Sequence, residues 1–255
     1  MTDAMEIVRA ARASDKISGH FIRQTLFPDF FEFHGDGVGG DDPAIVAGLA
    51  TFHNRPVTVV TTSRGHSLDE RISKHFGQPS PSGYRKALRV TQQAAEFNRP
   101  VFFFVDTAGA FPGKDAEYNG QGQAIAQCIL KIGQAKTPII SVFYGEGGSG
   151  GALALACGDE VWMLKNSMYS VLSPEGFASI MWKDSSKVAQ AAELLGLTPQ
   201  KLLDGKVIEG IVPYREDKAE QCSEIDKILS RELDKLSKLS KEELLENRYN
   251  RFRKF

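Results

Sequence analysis

Pro138–Val161, PIISVFYGEGGSGGALALACGDEV, is the stretch on which the fold of this 255-residue chain turns. Its apolar, β-branched opening (Ile139, Ile140, Val142, Phe143) reads as a buried strand. Glycines at 145, 147, 148, 150 and 151 follow, and then a run of small helix formers from Ala152 to Ala156. A strand feeding a glycine turn and then a helix presents unpaired backbone N–H groups at the helix N-terminus, where the helix dipole also favours negative charge. The pattern predicts an anion site. The rest of the chain has to say which anion.

Working outward, Val101–Val105 (VFFFV) repeats the theme as a buried strand, followed by the loop DTAGAFPG (106–113) and a helix over Gly120–Gly133. Ala124, Ile125, Cys128, Ile129 and Ile132 share one face of that helix. AIVAGLATF (44–52) and VTVVTTS (57–63) read as strands of a hairpin turned by HNRP. The spacing predicts helices over 3–26, 83–97 and 177–197, with Thr198-Pro199 opening another that ends near Gly205. Further strands are expected at Glu160–Leu164 and in GKVIEGIVPY (205–214). The aromatic run Phe27, Phe30, Phe31, Phe33 reads as core or, in an assembly, as interface. Residues 34–44 form a polar, glycine-rich loop, and 64–82 a long polar connection. From Glu216 onward the chain is charged and helical, with a Ser240/Glu243 capping box. Repeated strand–loop–helix order implies a parallel sheet of α/β class.

Composition narrows the function. With 31 Lys and Arg against 32 Asp and Glu the formal net charge is −1, which argues against nucleic-acid binding. No apolar run approaches the ~20 residues of a membrane span, and the N-terminus lacks the order of a signal peptide, so a cytoplasmic protein is expected. Cys128, Cys157 and Cys222 have neither zinc-ligand nor disulfide spacing; buried thiols and no metal are expected.

The glycine loops match several short patterns. Gly145-x-Gly147-x-x-Gly150 fits a dinucleotide fingerprint, but the following helix is short and no acidic residue stands ~20 positions on. Gly147-x-Ser149-x-Gly151 fits a nucleophile elbow, yet all five histidines precede Ser149, which excludes the α/β-hydrolase order; His66 or His75 is left as a base on paper. Asp106-Thr107-Ala108-Gly109 resembles a GTPase switch without any phosphate loop in the chain. The fourth reading needs no nucleophile: the N–H groups of Gly150 and Gly151 stabilise a developing oxyanion, worth on the order of 3 kcal/mol per donor. Glycines that merely let a helix pack closely on a strand are the plain structural alternative.

GEGGSGGALA (145–154), YSVLSPEG (169–176), DTAGAFPG (106–113), FGQPSPSGYRKALR (76–89), DDPAIVAGLA (41–50) and ELLENRYNRF (243–252) together closely resemble the carboxyltransferase alpha subunit of bacterial multi-subunit acetyl-CoA carboxylase. The resemblance covers nearly the whole chain. It implies a crotonase-like spiral of ββα units with C-terminal helices, as one carboxyltransferase domain over 1–255: an N-terminal helical segment (1–33), a core (34–215) and a helical appendage (216–255). It implies transfer of a carboxyl group from carboxybiotin, held on a separate carrier protein, to acetyl-CoA, forming malonyl-CoA for fatty acid synthesis. The partners it implies are a beta subunit (two alpha, two beta), the biotin carboxyl carrier protein and biotin carboxylase. Gly150 and Gly151 fall on the family's oxyanion pair; Gly109, Ala110, Phe111, Gly147 and Gly148 would shape the substrate pocket.

Some positions depart from the family. Ala108 stands where proline is usual, Arg64 where lysine is usual, and His66 and Gly37 where arginine is usual; the long N-terminal extension of many members is missing. The chain has neither a biotinyl-lysine motif nor a four-cysteine ribbon. GYRKALR and the basic C-terminus could meet CoA phosphates, or Lys86 and Arg89 could be a solvated helix face. A non-catalytic crotonase-like scaffold and a serine hydrolase using Ser149 stay open as alternatives at this level.

Overall fold

Every residue of Val101–Thr107 is buried, and the apolar side chains alternate between two cores. Val101, Phe103 and Val105 enter one, Phe102 and Phe104 the other. The next strand in the chain repeats this, with Ile139 and Phe143 on one side and Ile140, Val142 and Tyr144 on the other. Strands of this kind are covered on both faces, as central parallel strands are. The computed structural model describes residues 3–255; Met1 and Thr2, the start of the expected N-terminal segment, lie outside the described residues.

In chain order, helices α1 (Ala4–Arg12) and α2 (Gly19–Leu26) precede β1 (Phe31–Phe33) and the hairpin of β2 (Ile45–Phe52) and β3 (Arg55–Thr62). Helices α3 (Leu68–Ser73) and α4 (Pro81–Glu96) lead into β4 (Val101–Thr107). Then α5 (Lys114–Tyr118) and α6 (Gln121–Gly133) lead into β5 (Ile139–Gly148), which runs straight into α7 (Ser149–Leu153). After β6 (Glu160–Leu164) and β7 (Met168–Ser170) come α8 (Pro174–Trp182), α9 (Val188–Leu195), α10 (Pro199–Asp204) and β8 (Gly210–Val212). Helices α11 (Lys218–Leu236) and α12 (Lys241–Phe252) close the chain.

The sheet order is β1-β2-β3-β4-β5-β6-β8, antiparallel through β3 and parallel beyond it. Strand β5 changes neighbour along its length: Ile140–Phe143 pair with β6, whereas Glu146–Gly148 pair with β7. The glycine end of β5 stays paired with β4, at Thr107 and Gly147, across a register shift. Residues of α4 and α6 fill one core, and residues of α2 and α11 fill the other.

Several expected elements are divided. The helix expected over 3–26 is two, because Ser18 accepts a hydrogen bond from the Phe21 N–H and starts α2 afresh. The helix expected over 177–197 breaks at Lys183, whose φ of 52° is left-handed. The polar connection over 64–82 contains α3, capped by Ser67. The aromatic run divides too: Phe27 is core, while Phe31 is exposed on the edge strand β1. The hairpin turns on His53 and Asn54 alone, both with positive φ. All three cysteines are buried and free.

Two of the four basic side chains at the C-terminus, Arg248 and Arg251, are spent internally, while Arg253 and Lys254 are exposed. Arg248, 1% exposed, donates to both oxygens of Asp159 at 2.8 and 2.7 Å and to the carbonyls of Ile132, Gly133, Ala135 and Thr137. Arg251 grips Glu209 at 2.7 Å and the Val207 carbonyl. These contacts tie α12 to the loops after α6 and before β8, so neither side chain is free for a phosphate. Removing one partner of a buried ion pair costs about 3–5 kcal/mol, because the other charge stays unpaired in low dielectric. Arg248→Met is expected to lower the free energy of unfolding by about that much, as read by urea denaturation.

Candidate functional site

Two glycine-bearing segments meet at the ends of β4 and β5. Strand β5 continues to Gly148, so Gly145 and Gly147 are strand residues and only Gly148–Gly151 form the turn. A dinucleotide fingerprint begins after its strand, with the first glycine making the tight turn; here its first two glycines lie inside β5, and that reading ends. Ser149 takes a left-handed φ of 54°, which swings the chain into α7 within one residue. At the surface, Ser149 is exposed and Gly148 and Gly150 are half-buried; Gly151 is buried.

The N–H groups in the first turn of α7 have no intrahelical acceptor. Among the described residues no other acceptor takes the Gly150 or Gly151 N–H. The loop after β4 faces them closely: a Cβ built on Gly151 would stand 2.5 Å from the Ala110 nitrogen, and one on Gly148 would collide with the Ala108 carbonyl. Gly151 and Gly148 therefore cannot carry a side chain. At Gly150 a Cβ would meet only Ile125, at an ordinary 3.7 Å.

Within the facing loop the three expected residues divide by what their amides do. Gly109, at φ 131°, gives its N–H to Thr107 Oγ1 at 3.1 Å, and Phe111 gives its N–H to the Pro79 carbonyl at 3.0 Å. Ala110 between them keeps a free N–H, with no protein acceptor among the described residues. Gly147 is buried in the strand between Phe143 and Tyr169, so its part is packing. His75, with a positive φ of 46°, stacks on Phe111 at 4.0 Å between ring centroids. The composition of the 64–82 stretch did not reveal that contact; the unusual backbone of His75 and Phe76 is legible only in three dimensions.

Ser149 makes no hydrogen bond to a histidine among the described residues, and no base accompanies it. The basic face of α4 is also committed. Lys86, 1% exposed, pairs with Asp41 and the Asp42 carbonyl, and Arg89 donates to the carbonyls of His34 and Gly35. Lys86 is therefore not a solvated side chain, and Arg89 is anchored through Nε and Nη2.

A buried ion network sits behind the turn, on the other side of β5. Asp106, at the end of β4, accepts from Lys16 at 2.5 Å, from Arg64 at 3.0 Å and from the Glu146 N–H at 2.9 Å. Glu146 in turn takes Arg64 at 3.0 Å and Arg12 at 2.7 Å, and Arg12 reaches Glu175 at 2.8 Å. Burial opposes the Arg64 charge, but Asp106 and Glu146 outweigh it and raise its pKa. Burial dominates at Lys16, whose pKa falls despite Asp106. A cavity of about 230 Å³ opens beside these groups, lined also by His66, Arg71 and Tyr144. Arg64 thus keeps the charge expected at its position, and His66 packs edge-on against His20.

A parallel sheet that ends on facing, glycine-built amide loops is an α/β fold that this chain shares with solved carboxyltransferases. Among solved structures, the fold is shared with a transcarboxylase 12S bound to methylmalonyl-coenzyme A (TM-score 0.70, 20% identity), covering 91% of this chain but only 44% of that one. It is shared along nearly the full length of both chains with a Pseudomonas malonate decarboxylase hetero-tetramer structure (TM-score 0.73, 15% identity, 91% and 92% covered). Residues 2–255 match a family model described as acetyl co-enzyme A carboxylase carboxyltransferase-like. Carboxyl transferase alpha subunits of acetyl-coenzyme A carboxylase from Streptococcus sanguinis (strain SK36) and Streptococcus uberis (strain ATCC BAA-854 / 0140J) are each 48% identical, with both chains covered completely. The chain belongs to the acetyl-CoA carboxylase carboxyltransferase alpha family.

Because Asp106 joins Lys16 and Arg64, it holds residues 13–18 against the strand ends. Asp106→Asn leaves two buried cations with one formal partner fewer. Backbone amides of 13–18 and of Glu146 are expected to exchange hydrogen faster in this variant, with stability reduced by about 3 kcal/mol or more. Unchanged exchange would show that the network does not anchor this segment.

Proposed function

We propose that this chain supplies the biotin-facing half of the acetyl-CoA carboxyltransferase site, completed by a beta subunit in a two-alpha, two-beta assembly in the cytoplasm. The observation that carries this reading is the opposed pair of uncommitted amide groups, Gly150–Gly151 on α7 and Ala110 on the facing loop, at a turn open to the surface. Donors that already point at one place need no reorganisation when charge develops there. The site holds no nucleophile–base pair, so its own chemistry is orientation and charge stabilisation.

Biotin, carried on a separate protein loaded by biotin carboxylase, supplies the carboxyl group and a ureido nitrogen basic enough to take a proton from the acetyl methyl. The turn fits such a group: its donors are free among the described residues, and Gly150 leaves its backbone approachable. Gly150 and Gly151 hold the ureido oxygen through their N–H groups. Ala110 adds a donor from the opposite side, while Gly109 and Phe111 fix the loop that carries it. Gly147 and Gly148 support the turn from beneath, by permitting close packing. Acetyl-CoA is positioned by the beta subunit, which matches the internal use of Lys86, Arg89, Arg248 and Arg251 in this chain.

Mixed with the beta subunit, biotin and malonyl-CoA, the chain is expected to catalyse reverse carboxyl transfer. Turnover by this chain alone would overturn the shared site. Gly151→Val is a poor probe of the turn, since its side chain would strike the Ala110 backbone. Gly150→Ala is clean: alanine stabilises a helix by up to ~1 kcal/mol over glycine, and the new methyl group meets only Ile125. Its expected outcome is a kcat at least about tenfold lower with normal assembly and an unchanged or higher Tm. Full turnover in Gly150→Ala would leave a partner-binding scaffold as the better description.

A further inference from the structure

Tyr84, on α4, is completely buried, and its hydroxyl has no hydrogen-bond partner among the described residues. The other buried tyrosine of the core behaves conventionally: Tyr144 donates to the Thr62 carbonyl at 2.8 Å. The oxygen of Tyr84 lies instead against the glycine turn. The point where a Gly151 Cβ would stand is 2.5 Å from Tyr84 Oη, 2.5 Å from the Ala110 nitrogen and 2.9 Å from the Gly109 carbonyl carbon. One small space, kept free by the missing side chain of Gly151, is therefore bounded by this hydroxyl and by both amide-bearing segments.

We infer that Tyr84 is a positioning residue for carboxyl transfer: its hydroxyl is a rotatable dipole beneath the turn that swings its proton toward negative charge gathered at the Gly151 and Ala110 amides. The inference rests on the function proposed above for that turn. An unpaired buried hydroxyl costs about 1–3 kcal/mol, and a phenylalanine would fill the same volume without that cost. Packing alone thus gives no reason for the oxygen. With no acceptor competing for it, the O–H is free to rotate, and the low local dielectric strengthens its effect on a nearby charge. Burial raises the phenol pKa, so the proton stays in place at neutral pH. Because the hydroxyl is sealed from solvent, it acts through the two amide segments and does not touch the substrate.

Tyr84→Phe tests this by separating stability from activity. In the assembled enzyme the variant is expected to lose about tenfold in kcat for reverse transfer, with KM for biotin within about twofold. In the isolated chain its Tm is expected to be unchanged or higher, and the Gly151 and Ala110 amide resonances to shift without substrate present. A kcat within about twofold of the parent overturns the inference; so does a fall in kcat accompanied by a lower Tm, or amide resonances that do not move. Gly150→Ala, measured alongside, distinguishes the two levels. If it too keeps full turnover, the reading of the turn has failed. If it is impaired while Tyr84→Phe is not, only the role of Tyr84 has failed.

Discussion

The end of β5 lies against the loop after β4 at backbone contact distance, and most of the functional architecture depends on that approach. Side chains at Gly148 or Gly151 would strike the backbone of Ala108–Ala110, and one at Gly145 would strike the Asp106 carboxylate. With no Cβ in the way, the two loops close until the Gly150, Gly151 and Ala110 amides share one small region. Backbone amides are poor donors individually in water. Held close together and, among the described residues, without competing acceptors, they are the donors on which the proposed function rests.

The approach is held from behind by charge. Asp106 and Glu146 sit on adjacent strands within the same short span as the glycines, and three cations from two other segments converge on them. Lys16 and Arg12 bring the N-terminal segment into this network, and Glu175 extends it toward α8. Buried pairs of this kind contribute little net stability over apolar packing, but they penalise any arrangement that separates them. They therefore specify where the strand ends lie. At the far end of the molecule, Arg248 does the same for α12, collecting four carbonyls and one carboxylate.

Legibility followed the range of the interactions. Strand β4, the first part of β5 and helix α6 were readable because period-two and 3.6-residue patterns are local and strong. The small strands β1 and β7 were not, since a three-residue strand exists only through its neighbours. The break at 13–18 was missed because apolar spacing continues across it, while the pull of Asp106 on Lys16 comes from a residue far along the chain. For the same reason Lys86, Arg89 and Arg248 read as surface charges: their partners are loop carbonyls and acids that no local window contains.

By itself the sequence determined the α/β class, the two glycine loops that follow buried strands, and the absence of a histidine downstream of Ser149. Those properties are carried by residue type and short spacing. Only the tertiary structure decided which amides are free: the Gly109 and Phe111 N–H groups are consumed by Thr107 and Pro79, and the one at Ala110 is not. It alone brought Tyr84 beneath Gly151 and His75 onto Phe111. A hydrogen bond or a close approach belongs to pairs of distant residues, and such pairs come into being only when the sheet is assembled.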